Sequence, residues 1–125
     1  MNYFNIREDA WRAGKAEMRA ILQAVAARRG MIAYSELASQ MMSLQIEPFG
    51  GVMSELLGEI GAEEASEGRG ILTVVVVHKS GDMEPGQGFY DLAAILGRDT
   101  SDRLTLWIKE MHRVHDCWAN GRQSN

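Results

Sequence analysis

The side chains with most chemistry to offer fall in three places. On the last helical stretch lie His112, His115, Asp116 and Cys117. His112 and His115 at i,i+3, or His112 and Asp116 at i,i+4, would project from one side of a helix and could share a metal ion. His115, however, falls within the apolar face marked by Leu104 and Met111, which reads as a hydrogen-bonded core histidine; no metal and no cofactor is expected. Further upstream, His78, Ser80 and Asp82 supply the parts of an activated nucleophile. Nothing orients them, no second base or oxyanion motif accompanies them, and catalysis is not expected. The third place is a stripe of carboxylates: Glu55, Glu59, Glu63 and Glu67 recur every four residues and share one face of a helix. Like charges at that spacing cost an isolated helix a few tenths of a kcal/mol per pair. Such a stripe is a solubilising face, a surface for a basic partner, or a seat for a cation.

These residues must be carried by a single domain, since the chain has 125 residues and no repeat, low-complexity tract or linker. No apolar run approaches the roughly 20 residues that span a bilayer, so no membrane is expected. No signal-peptide core opens the chain, and Cys117 is the single cysteine, leaving no internal disulfide; a cytoplasmic protein is the expectation. Net charge is −4, unevenly spread. Residues 1–29 carry six basic and three acidic groups, whereas residues 30–70 carry seven acids and only Arg69. The middle third therefore repels polyanions and the first helix does not. Arg12, Lys15 and Arg19 form a basic stripe on that first helix.

Ile71 to Val77 is the most strand-like run. β-Branching favours the pleated conformation, and an apolar run without alternation predicts a strand covered on both faces. Gly81, Pro85, Gly86 and Gly88 then predict a glycine-rich flap. The N-terminal helix is expected to start at a capping box formed by Asn5 and Glu8, to bury Trp11, Met18, Ile21, Leu22 and Val25, and to end at Gly30. Met31 to Tyr34 reads as a short edge strand, Glu36 to Met42 as a helix capped by Ser35, and Phe49 to about Ser66 as a helix opened by Pro48. After the flap, Tyr90 to Leu96 is a short helix closed by Gly97. A last helix from Asp102 to about Ala119, capped by Thr100 or Ser101, is expected to bury Leu104, Trp107, Ile108, Met111, Val114 and Trp118. Leu106 and Cys117 are then expected to point outward, hinting at a dimer seam.

Tyr34-Ser35-Glu36-Leu37-Ala38, Leu56-Leu57-Gly58 and the run from Thr73 to Gly81 together resemble the C-terminal winged-helix domain of alkylguanine-DNA alkyltransferases. That family shows Tyr-Gly-x-Leu-Ala, then Arg-Ala-Val-Gly on its recognition helix, then Pro-Cys-His-Arg-Val entering a strand and wing. The resemblance implies a winged-helix centre over roughly residues 30–90, but not the family's chemistry. Its reactive cysteine falls on Thr73, which cannot supply a thiolate; its following His and Arg fall on Val74 and Val75, and its recognition-helix arginine on Glu55. The same stretch also resembles uncharacterised small bacterial proteins with a Leu-Thr-x-x-Val-Val strand and a Pro-Gly-x-Gly-Phe flap, here Leu72 to Val77 and Pro85 to Phe89.

The expected architecture is thus α+β: an N-terminal helix in residues 1–30, a winged-helix-like core in 31–90 and C-terminal helices in 91–125. The expected role is a non-catalytic binding module engaging a protein or a second copy of itself, with Glu55, Glu59, Glu63, Glu67, Leu106 and Cys117 as candidate contacts. The alternative is a nucleic-acid binder in which Arg12, Lys15, Arg19, Arg69 and Lys79 touch phosphates, although a glutamate-lined recognition helix works against counterion release.

Overall fold

The computed structural model describes residues 4–79 and 85–120. Among the described residues there are five helices, three of which pack around a buried crossing segment with a minimal sheet at its end. The elements are α1 (Glu8–Ala27), β1 (Ile32–Ala33), α2 (Tyr34–Gln40), α3 (Gly51–Ser66), a 3₁₀ turn (Leu72–Val75), β2 (Val76–Val77), α4 (Gln87–Ile95) and α5 (Arg103–Ala119). The class is α+β, and the two strands pair in parallel, Ile32 opposite Val76 and Ala33 opposite Val77.

α1 buries Trp11, Met18, Leu22 and Val25 as their spacing predicts, with Ile21 packed at the edge. Its ends differ from expectation. The helix starts at Glu8 after Arg7, without a side-chain cap. Asn5 instead takes a left-handed φ of 57°, which its short polar side chain tolerates, and Phe4 stacks on Trp11 with ring centroids 6.0 Å apart. At the other end the left-handed position is Arg29 (φ 55°), not Gly30. Arg29 N donates to Ala26 O and Gly30 N to Val25 O, closing the helix by a Schellman pattern one residue earlier than the glycine suggests. Arg29→Gly is therefore expected to raise stability by about 1 kcal/mol, read as a higher urea midpoint at unchanged m-value. The exposed Arg29–Asp116 pair that it removes offsets little of this.

The valine run is where conformation and expectation part. Ile71 to Val77 is buried throughout, covered on all sides by α1, α3 and α5. Each aliphatic side chain of the run contributes roughly 1.5–3 kcal/mol by leaving water. Yet only Val76 and Val77 are strand; Leu72 to Val75 wind into a 3₁₀ turn. A buried strand needs a partner for its backbone. β1 offers two residues before the chain turns into α2 at Tyr34. Lacking a ladder, the run satisfies itself locally, with Val74 N donating to Ile71 O at 3.0 Å. It also borrows an acceptor from a distant helix: Ile71 N donates to Glu110 Oε2 at 2.8 Å.

α3 and α4 approach closely because Gly61 stands between them. A Cβ there would lie 2.6 Å from Leu92 Cδ2 and 3.1 Å from Thr73 Oγ1. α4 begins at Gln87 rather than Tyr90 and closes at Gly97, whose φ is 84°. α5 is capped by Asp102, whose carboxylate accepts from Thr105 N. Its buried face is Leu106, Glu110, Met111, Val114, His115 and Trp118. Leu106 is therefore in the core, 5% exposed, and not outward; Cys117 is half-buried against the core rather than outward. Conversely Leu104 and Ile108, expected inside, are 60% and 44% exposed. The helix is rotated because Glu110 turns inward to meet Arg98 and Ile71 N.

Candidate functional site

The carboxylate stripe of α3 meets the basic stripe of α1 inside the same chain. Trp11 Nε1 donates to Glu59 Oε1 at 3.0 Å. Lys15 Nζ lies 3.2 Å from Glu59 Oε1 and 2.7 Å from Glu63 Oε2. Arg19 bonds Glu63 through Nη2 and, at 2.7 Å, Glu64 Oε2 through Nη1. Rising numbers on α1 meet rising numbers on α3, so the two helices run parallel and their periods stay in step. Glu64, with no exposed surface, also accepts from Arg69 Nε at 2.9 Å and Nη2 at 3.0 Å.

The electrostatics follow. Burial alone would raise the Glu64 carboxyl, but hydrogen bonds from Arg69 and Arg19 outweigh it and hold the group below the ordinary carboxylate value. Glu59 is lowered likewise: burial opposes, while Trp11 and Lys15 prevail. Glu63 is lowered chiefly by the Lys15 hydrogen bond. Glu55 goes the other way, raised by the neighbouring Glu59 carboxylate and then by burial. Of the expected stripe, Glu55 and Glu67 are left at the surface without a basic side chain of α1. Of the expected cations, Lys15, Arg19 and Arg69 are engaged in ion pairs, while Arg12 and Lys79 are exposed.

Two of the concave regions among the described residues have aromatic and histidine linings. The first is a groove of about 240 Å³ beside α5, lined by Arg29, Met31, Trp107, Ile108, Met111, His112 and His115. His115 Nε2–H donates to Gly30 O at 3.0 Å, the structural role its place in the apolar face predicts. His112 is exposed on the groove's wall. The indole N–H of Trp107 is buried with no acceptor among the described residues. Met31, Leu104 and Ile108 are the exposed apolar side chains on this side.

The second is a cleft of about 230 Å³ between α3, the 3₁₀ turn and the start of α4. Tyr34, Phe49 and His78 form an aromatic wall, with ring centroids 5.1 to 5.9 Å apart. Tyr34 Oη accepts from Gly86 N at 3.1 Å; burial raises its phenol above the ordinary value, and that bond only partly counters it. Ser80 and Asp82, the other members of the nucleophile arrangement, lie outside the described residues, as does Gly81 of the flap. Among the described residues no cluster of His, Cys, Asp and Glu is built to hold a metal, and no helix is long and apolar enough to cross a membrane.

No family model, curated protein or solved structure matches the chain. The geometry therefore carries the functional argument by itself. What composition could not disclose is the cleft: Tyr34, Phe49 and His78 are far apart in sequence and share no motif, and only the fold brings their rings together.

Proposed function

We propose that the chain is a binding module that joins a second copy of itself through the outer face of α5. The observation that carries this is the pair Leu104 and Ile108. They sit at i,i+4 on one helix face, exposed, and Ile108 lines the groove beside α5. Scattered apolar side chains are ordinary on a surface; a contiguous pair continuing into an apolar groove marks an interaction face. A twofold axis across α5 would lay each copy's Leu104 and Ile108 on the other's groove, the self-complementary arrangement of a dimer.

The dimer seam moves from the residues expected for it. Leu106 is internal, and Lys15 and Arg19 already neutralise Glu59 and Glu63 within one chain, so a second copy's basic stripe has little to meet. The nucleic-acid alternative is likewise reduced, since three of its five cations are held by carboxylates. Neither statement leans on the winged-helix resemblance, whose wing tip falls in residues 80–84, outside the described residues.

Light scattering after size exclusion, from micromolar to millimolar protein, is expected to give a concentration-dependent dimer. Ile108→Glu should weaken it at least about tenfold, equivalent to roughly 1.4 kcal/mol, with an unchanged circular dichroism spectrum because the side chain is at the surface. A wild-type monomer over that whole range would overturn the proposal.

A further inference from the structure

We infer that the cleft at the start of α4 binds a small aromatic carboxylate. Size comes first: at about 230 Å³ the cleft falls below the usual range for drug-sized ligands, roughly 300–1,000 Å³, and admits one or two rings but not a nucleotide. Its wall suits a flat ring. Phe49 and His78 stack at 5.9 Å with 21° between planes, and Phe49 is 70% exposed, leaving an aromatic face open at the rim. Offset stacking on such a face stabilises a bound ring beyond its area burial.

The polar end suits an anion. α4 opens at Gln87 with no side-chain cap, so its first amides carry the partial positive charge of a helix N-terminus into the cleft. Gly88 lines this end, and a Cβ built on it meets nothing within 4 Å, so a ligand oxygen can reach the backbone. In a chain of net charge −4, no Asp or Glu lines the cleft among the described residues.

An independent observation points to a ligand. Thr73 lines the same cleft and is only 5% exposed, and its hydroxyl, which makes no hydrogen bond among the described residues, is not among their fully buried unpaired atoms and so stays open to a small molecule. A hydroxyl that lines a narrow cleft without a protein partner is left to bond whatever enters it. A carboxylate oxygen bridging the Thr73 hydroxyl and the α4 amides satisfies both. The cleft and the α5 groove share no lining residue, so this inference stands apart from the dimer.

Gly58 supplies the test. It lies inside α3, lines the cleft, and has nothing within 4 Å of a built Cβ. Gly58→Ala should therefore strengthen the helix, raising the melting temperature by about 4 °C, while its methyl narrows the cleft. Titration calorimetry with indole-3-acetate, indole-3-acetamide and hexanoate, together with amide chemical shifts, reads the result. Indole-3-acetate is expected to bind and to move the Gln87 and Gly88 amides. The neutral acetamide and the ringless hexanoate should each bind at least about tenfold more weakly, as should indole-3-acetate to Gly58→Ala and to the surface variant Phe49→Ala. Failure of indole-3-acetate to bind, equal binding of the acetamide, or a Gly58→Ala protein that is stabilised yet binds normally would each overturn the inference.

Discussion

Glu64→Ala is expected to destabilise the fold by about 3–5 kcal/mol, because it leaves the Arg69 guanidinium without its carboxylate and Arg19 with Glu63 alone. Glu64 has no exposed surface, and Arg19 and Arg69 are about three-quarters buried around it. Glu64→Gln keeps an acceptor but removes the charge, and should cost less. The same residue predicts the acid limb of stability. Its carboxyl lies below the ordinary 4.5 in the fold, so between the two values the unfolded chain binds more protons and stability rises with pH. The contribution is fully present above about pH 4.5 and is lost as pH falls through the folded value. Glu59 and Glu63 are lowered in the same direction; being partly exposed, they add less. Urea unfolding of the wild type and Glu64→Gln at a series of pH values from neutral to acid checks this. The wild type should lose more stability than the variant below pH 4.5; equal losses would mean that Glu64 does not carry the ion-pair network between α1 and α3.

Much of this arrangement was legible in the sequence, and the boundary of legibility has a physical cause. Helical periodicity in α1 is dictated by local spacing, and most residues expected to face inward do so. The basic stripe of Lys15 and Arg19 and the acidic stripe of Glu59 and Glu63 were both visible. That they meet each other depends on the parallel alignment of two helices more than forty residues apart, which no local pattern encodes. α5 shows the limit more sharply. With Leu104, Leu106, Trp107 and Ile108 in close succession, apolar spacing permits more than one face. The choice was made by Glu110, a charged residue whose inward turn makes sense only once Arg98 and the Ile71 amide are beside it. The valine run was legible in burial and not in conformation, for β propensity is a preference that needs a partner strand, and only two residues of one exist. The same rotation of α5 that hid Leu106 exposed Leu104 and Ile108, so the surface proposed for dimerisation arises from the very feature the sequence did not disclose.

Gly70→Ala is expected to be nearly as costly as the loss of Glu64, and a neighbouring glycine shows why. Gly68 and Gly70 both have left-handed backbones, with φ of 80° and 86°. An alanine at either position pays the steric cost of that region, about 1–2 kcal/mol. Around Gly68 a Cβ meets nothing within 4 Å, and the cost should stop there. Around Gly70 it lies 3.0 Å from Val114 Cγ2, 3.1 Å from Arg113 Cδ and 3.2 Å from Glu110 Oε2. Overpacking of that kind adds about 1–3 kcal/mol. Gly70→Ala should therefore cost about 2–5 kcal/mol in urea unfolding, against about 1–2 kcal/mol for Gly68→Ala. The excess also has a functional direction. Gly70 delivers Ile71 N to Glu110, and the 3₁₀ turn that follows sets Thr73 in the cleft. Pushing α5 away from this turn displaces Thr73, so Gly70→Ala should weaken indole-3-acetate binding where Gly68→Ala leaves it intact. Equal destabilisation by the two alanines would show that backbone conformation alone governs this turn and that α5 does not clamp the buried segment through Gly70.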